Sequence, residues 1–404
     1  MIKLIEKTIL TNPQILESCF KSWDKLFDKK ESGFLESPKR ENLWHQSKKR
    51  AQEIESFENL CIVGIGGSSL GAQVLQEIFE NEKTVTFFDN VDPLSFNKKL
   101  QKIQGQKNHW VIISKSGGTL ETLAQFQALL AQRKINPPLS EFVTVISELK
   151  DNPLTLWAQK YQVPILELPQ DIGGRFSVLT PVGLFPAAFM GASLEDLKLG
   201  ALWALQQKEL VCEVAAQSLM SFDRKESITL FWTYSDQLRN FSFWIQQLWA
   251  ESLAKKKTRS GLEGPFVSTP LPCRGTQDQH SLLQQVVEGQ RDKFVLFFRV
   301  EQAEKSGPAV FVDPYLGPDF LSNCKMGDVL RAEAEAVQQT LASLGVESLS
   351  IKVDNLKEKQ VGALFMFMEL VVGVMGEALN INTYDQPGVE SGKIRAQEIL
   401  RGMK

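Results

Sequence analysis

From Leu60 onward the chain carries short, unbroken apolar runs at Leu60–Ile65, Val85–Phe88, Trp110–Ser114, Phe142–Ile146 and Ile165–Leu168. Amphipathic stretches such as Thr119–Arg133 and Asn152–Tyr161 separate them. A strand that is apolar throughout must be covered on both faces, and such strands alternating with helices imply a parallel sheet with helices on each side. Residues 56–192 therefore predict one doubly wound α/β domain. A second set of runs, at Ile228–Tyr234, Phe294–Val300 and Leu349–Val353, alternates with helices at Asp236–Ala254, His280–Glu288, Asp328–Leu344 and Val361–Leu379. Residues 193–384 thus predict a second α/β domain of similar build, and the helical joining segment Ser193–Leu219 leaves no loose linker. Residues 1–55, rich in Lys, Glu and Ser with scattered apolar anchors, predict a helical N-terminal arm. Residues 385–404 close the chain as a helical tail.

Composition narrows the function. The chain has 404 residues, 43% hydrophobic and 23% charged, with a net charge of −3, values of a globular protein with no electrostatic pull toward nucleic acid. The cluster Lys255, Lys256, Lys257 and Arg259 is too short to alter that. Five scattered cysteines without CxxC spacing predict neither disulfides nor a zinc site, and fit a reducing compartment. The opening residues Met-Ile-Lys-Leu-Ile-Glu-Lys interrupt any signal-peptide stretch with charge. The most apolar segment, Val361–Leu379, contains Glu369 and Glu377, whose burial in lipid would be costly; it predicts a core helix, no membrane and a cytoplasmic location.

Six segments carry candidate chemistry. Val63-Gly64-Ile65-Gly66-Gly67-Ser68-Ser69 follows the first strand, where glycines let backbone amides approach an anion at a helix start. Its alternatives are a plain tight turn and a dinucleotide loop; Ser69 stands where GxGxxG needs glycine, although Asp89 follows the second strand as a ribose-binding acid would. Ser114-Lys115-Ser116-Gly117-Gly118-Thr119 offers hydroxyls, a cation and flexible backbone at another helix start, suiting a phosphate dianion or a simple helix cap. In Asp171-Ile172-Gly173-Gly174-Arg175-Phe176-Ser177 a guanidinium lies beside an open backbone amide, which suits a developing oxyanion or an inter-domain ion pair.

Gln247 and Glu251 are four apart and share a helix face. Neighbouring Phe243, Trp244, Leu248 and Trp249 predict a desolvated carboxylate with raised proton affinity, fit for a general base; a surface pair between Glu251 and Lys255 is the competing reading. Among three histidines, His280 alone lies in a polar turn, Gly275-Thr276-Gln277-Asp278-Gln279-His280, where a titrating group can face substrate. Finally, Tyr384-Asp385-Gln386-Pro387-Gly388-Val389-Glu390-Ser391-Gly392-Lys393 sets Gln386 before a turn and Lys393 on the tail, where a solvated lysine is the plain alternative.

In this order and spacing, the segments resemble the glucose-6-phosphate isomerase (phosphoglucose isomerase) family from about Ile62 to Lys393. Gly-Gly-Arg-Phe-Ser and Asp-Gln-Pro-Gly-Val-Glu-x-Gly-Lys are the most specific parts. The resemblance implies two sugar-isomerase (SIS-type) domains and a reversible glucose 6-phosphate to fructose 6-phosphate conversion through a cis-enediolate, without metal or cofactor. It implies that Ser114, Lys115, Ser116 and Thr119 grip phosphate, with Gly67 and Ser68 lining the same pocket. Glu251 matches the base, and Arg175 with Gly174 the enediolate's support. His280 and Lys393 match the ring-opening pair, and Gln247 and Gln386 place substrate. It further implies a homodimer in which His280 acts across the interface. Three departures stand out: Gly118 replaces a usual threonine, Ala254 a common glycine, and the N-terminal arm is short for the family. A non-catalytic sugar-phosphate sensor, an NAD-dependent dehydrogenase and an isomerase also accepting mannose 6-phosphate are the competing functions.

Overall fold

Burial on both faces marks the central strands of both sheets. In a computed structural model of the chain, describing residues 1–403 apart from 30–31, 80–81, 133, 136, 314 and 317–318, every residue of Asn59–Val63 and Val143–Ser147 is buried. The arm comprises β1 (Ile2–Lys7), α1 (Pro13–Phe27) and α2 (Glu41–Glu53). The first unit runs β2 (Asn59–Val63), α3 (Leu70–Phe79), β3 (Thr84–Phe88), α4 (Pro93–Lys102), β4 (Asn108–Ile113), α5 (Leu120–Ala131), α6 (Leu139–Phe142), β5 (Val143–Ser147), α7 (Pro153–Lys160) and β6 (Ile165–Glu167). Its strands pair in the order β3-β2-β4-β5-β6, all parallel. Helices start where the sequence supplies a cap: Asp92 before Pro93 and Asn152 before Pro153 each accept first-turn amides.

Three helices, α8 (Pro181–Phe189), α9 (Leu194–Ala204) and α10 (Lys208–Asp223), lead to the second unit. That unit runs β7 (Ile228–Tyr234), α11 (Arg239–Leu253), β8 (Thr269–Arg274), α12 (Leu283–Glu288), β9 (Lys293–Val300), α13 (Glu301–Glu304), α14 (Met326–Ser343), β10 (Ser348–Val353) and α15 (Glu358–Ala378). The tail ends in α16 (Glu390–Gly402). The second sheet has the order β1-β10-β9-β7-β8.

Several expectations change. The arm is not wholly helical, because β1 pairs antiparallel with β10 and makes the second sheet mixed. Strand β8 carries Pro270 and Pro272 and gives no strand signal in sequence. It is tolerated as an edge strand, paired among the described residues with β7 alone, where a missing amide is harmless. The helix expected from Asp236 begins as a tight turn, Asp236–Leu238, before α11, and His280 ends a separate turn, Gln277–His280, before α12. The expected helix end at Arg133 and the final tail residue, Lys404, lie outside the described residues.

In each sheet the connections reverse direction at a central strand and open a crevice at the strands' C-terminal ends. In the first sheet this point lies between β2 and β4. In the second it lies between β7 and β9; near the end of β9 the buried Arg299 is tied to Glu304, to Gln338 at 2.9 Å and to Glu335 at 3.0 Å.

Helix α15 is the described helix long and apolar enough to cross a bilayer. It is instead buried from Val361 to Glu377 against α1, α9, α10 and α11, with Phe365 edge-on to Trp244 at 4.9 Å. Within it Glu369 is fully buried and neither carboxylate oxygen has a hydrogen-bond partner among the described residues. Burial pushes its proton affinity well above the ordinary carboxylate value. The folded state therefore holds a proton that the unfolded chain releases above about pH 4.3. Stability is fully present below that pH and falls, by up to about 1.4 kcal/mol per pH unit, as pH rises toward the folded-state value. Glu369→Gln should accordingly stabilise the protein more at pH 8 than at pH 5. Urea unfolding of both proteins at the two pH values checks this; an equal difference at both would contradict it.

Candidate active site

The glycine turn Gly66–Ser68 leaves β2 on the side of the first crevice. Gly66 sits at φ +60°, and a Cβ there would lie 2.9 Å from the Gln247 amide nitrogen. Gly67 packs on the Gly174 backbone so closely that a Cβ would fall 2.7 Å from the Arg175 amide nitrogen. Glycine is needed at both positions to bring β2, the 174–176 turn and α11 together. The Ser68 hydroxyl has no hydrogen-bond partner among the described residues.

Arg175 is the hub, its side chain 2% exposed. Nε donates to Ser252 Oγ at 2.7 Å, and Nη2 to the carbonyls of Thr383 at 2.5 Å and Asp385 at 3.1 Å. Nη1 faces Glu251 at 3.4 Å and donates to Gln386 Oε1 at 3.1 Å. Burial works against its charge while Glu251 and Asp385 support it. Gln247 Nε2 donates to the other oxygen of Glu251 at 3.1 Å. The Glu251 carboxylate is thus held between an amide and a guanidinium.

The surroundings of Glu251 differ from expectation. Trp244, Leu248 and Trp249 are buried in the core, yet Phe243 is exposed and the Glu251 side chain keeps 28% of its surface open. Of these neighbours only Trp249 projects from the opposite side of the helix; Leu248 and Trp244 lie one and two turns before Glu251 on its own side. The competing pairing with Lys255 is not made either, since the Lys255 ammonium bonds the Glu251 backbone carbonyl at 2.9 Å and the Asp385 carboxylate at 3.0 Å. Clefts of about 740 Å³ and 590 Å³ flank Glu251, the first lined by Lys255–Arg259 and Asp385–Val389, the second lying between α3 and α11.

The second loop leaves β4 beside β2. Ser114 and Thr119 share a hydroxyl hydrogen bond of 2.8 Å, and Ser116 Oγ accepts from the Gly118 amide at 3.3 Å. Gly117 has φ +66° and lies against Asn152. At Gly118 a Cβ would meet open space, so the residue that departs from the family pattern is not there for steric reasons. Lys115 is half-buried; its ammonium donates to the Gln170 carbonyl at 2.9 Å and lies 3.5 Å from Glu148. Burial lowers its proton affinity, and Glu148 opposes that.

Two expected residues stand apart. His280 is exposed, with no hydrogen bond or ion pair among the described residues. Lys393 pairs with Glu390 at 2.7 Å on α16, a helix without a buried residue. Neither contacts the Glu251–Arg175 cluster within the chain. Sequence reasoning missed Ser252, the carbonyls of residues 383 and 385, and Glu148; Ser252 lay next to Glu251, but nothing in its own type marked it as a seat for Arg175. Among the described residues no group of three or more His, Cys, Asp or Glu side chains gathers as a metal site would require.

A carboxylate and a guanidinium meeting over glycine turns, on a pair of α/β sheets, place the chain among the phosphosugar isomerases. It belongs to the phosphoglucose isomerase family, whose profile matches residues 44–404. Glucose-6-phosphate isomerase of Campylobacter jejuni is 32% identical over 372 residues, covering 89% of each chain. That of Methanocaldococcus jannaschii is 30% identical over 385 residues, covering 92% of this chain and 91% of its own. Among solved structures, a hypothetical protein from Thermus thermophilus superposes with a TM-score of 0.91 at 27% identity, covering 99% of this chain and all of that one. A glucose-6-phosphate isomerase from Chlamydia trachomatis shares the fold, with a TM-score of 0.79 at 23% identity over 96% of this chain and 78% of that one.

Proposed function

We propose that this isomerase interconverts glucose 6-phosphate and fructose 6-phosphate, with Glu251 carrying the proton between carbons 1 and 2. The observation that supports this most is the Glu251 carboxylate held between Gln247 and Arg175. One oxygen is oriented by the amide while the carboxylate stays partly open to the clefts, as a base that must meet substrate requires. Of the three guanidinium nitrogens, Nε and Nη2 serve the scaffold. Nη1 makes the longest contact, to Glu251, and is the nitrogen that turns to the enediolate oxygen as charge develops. Ser114, Lys115, Ser116 and Thr119 hold the phosphate together with Gly67 and Ser68; Gln386 and Gly174 complete the wall. The proton passes without metal or redox cofactor. We read residues 56–192 and 193–384 as the two domains, 1–55 and 385–404 as the arm and tail, and the protein as cytoplasmic, engaging neither nucleic acid nor membrane.

Purified protein should turn over fructose 6-phosphate to glucose 6-phosphate, read by a coupled dehydrogenase, at a rate unchanged by chelator. Tight binding of fructose 6-phosphate with no turnover would instead mark a sensor. His280 and Lys393 open the sugar ring, and the isolation of His280 from Glu251 within one chain favours its entry from the partner of a homodimer. Mixing inactive His280→Ala and Glu251→Gln proteins under exchange conditions should then restore part of the activity, because one of the two sites in a mixed dimer is intact. No recovery in dimers shown to have exchanged would place both residues in one chain's site.

A further inference from the structure

Helix α11 carries Gln247 and Glu251 in its second half, yet its own first turn is poorly capped. Its N-cap residue is Leu238, which has no side-chain acceptor to offer. The missing acceptor comes from the other sheet's unit. Glu77, on α3, accepts the Asn240 backbone amide at 2.7 Å, and the Gln73 carbonyl, one turn earlier on α3, lies 3.4 Å from the Asn240 side-chain amide. Leu70, Gln73 and Glu77 share a face of α3, and Asn240, Gln247 and Glu251 share the face of α11 turned toward it. The ends match as well: Gly66, just before α3, touches Gln247, while Glu77, near the end of α3, holds Asn240.

From these contacts we infer that Glu77 is a positioning residue for the isomerisation: it caps α11 from across the domain boundary and so sets where the Glu251 carboxylate stands relative to Arg175 and the first glycine turn. A carboxylate at a helix N-terminus satisfies a free amide and complements the helix dipole. Asn240 and Glu251 are separated by about 16 Å along the helix axis. Pivoting α11 by about 4° at its capped end therefore moves Glu251 by about 1 Å, a misplacement that can cost on the order of 100-fold in rate. The Ser252–Arg175 bond restrains the far end of the helix, so the expected loss is smaller than that limit.

The inference rests on Glu251 as the base, and the experiment separates the two. In Glu77→Ala, kcat should fall about tenfold with KM within about threefold of wild type. The deuterium isotope effect on carbon-2-labelled glucose 6-phosphate should rise, because proton transfer becomes slower relative to binding and release; a role confined to stability would leave that ratio unmoved. Glu77→Gln keeps an oxygen acceptor for the Asn240 amide and should restore kcat to within about threefold of wild type. Should the alanine variant not fold, Glu77→Asp, one methylene too short, carries the same test with an expected loss of at least about threefold. An unchanged kcat and isotope effect in the alanine or aspartate variant, while Glu251→Gln is inactive, would overturn the role of Glu77 alone. Full activity in Glu251→Gln would instead remove the base and with it the basis of the inference.

Discussion

Glu251→Gln is expected to lower kcat at least about 100-fold while leaving KM within about threefold of wild type. The amide has the carboxylate's shape, so the 3.1 Å contact with Gln247 and the seat beside Arg175 can persist in altered form. What disappears is the ability to take a proton from carbon 2 and return it at carbon 1. The loss should therefore appear in the chemical step, and solvent exchange of the carbon-2 proton should fall in parallel. The core residues of α11, among them Trp244, Leu248 and Trp249, are unchanged, so melting temperature should move little. Turnover above about one part in a hundred of wild type would mean that another group moves the proton.

Arg175→Lys should be the next most damaging change, with a fall in kcat of about 100-fold or more and a stability loss of about 2–3 kcal/mol. All five guanidinium donors are engaged, by Ser252, Glu251, Gln386 and the carbonyls of residues 383 and 385. A lysine keeps the charge but brings three donors on a flexible stem and cannot reproduce that planar fan. Buried acceptors would be left unpaired, which lowers stability, and the contact to Glu251 would slacken, which lowers rate. Thermal melts and steady-state kinetics on the same preparation check both. Activity within tenfold of wild type would show that charge alone, without the fork, supports the transition state.

The apolar runs from Leu60 to Val353 were legible because parallel strands buried on both faces have no polar alternation to confuse them; Ile228–Tyr234 is a strand with those same bounds. Two strands escaped for physical reasons. In β1 only Ile2 is buried while Lys3, Glu6 and Lys7 face out, so its composition resembles a charged arm. The prolines of β8 conceal a strand that an edge position permits. Within the site, the type and order of residues pointed to Glu251, Arg175, Gln247 and Gln386, which the fold does assemble. Their surroundings were not legible. Glu251 stays partly open although Trp244, Leu248 and Trp249 near it in sequence are buried, and the seat of Arg175 at Ser252 joins positions far apart in the chain.

Arg175 grips the start of the tail at Asp385 by a carbonyl oxygen, an atom every amino acid possesses. Recognition of this kind is blind to side-chain identity but not to length. Over evolutionary drift the residue at 385 can vary with little effect on that bond, whereas inserting or deleting a single residue between 383 and 386 would turn the carbonyls away from the guanidinium and shift Gln386 out of reach. Gaps, rather than replacements, are what this stretch should exclude.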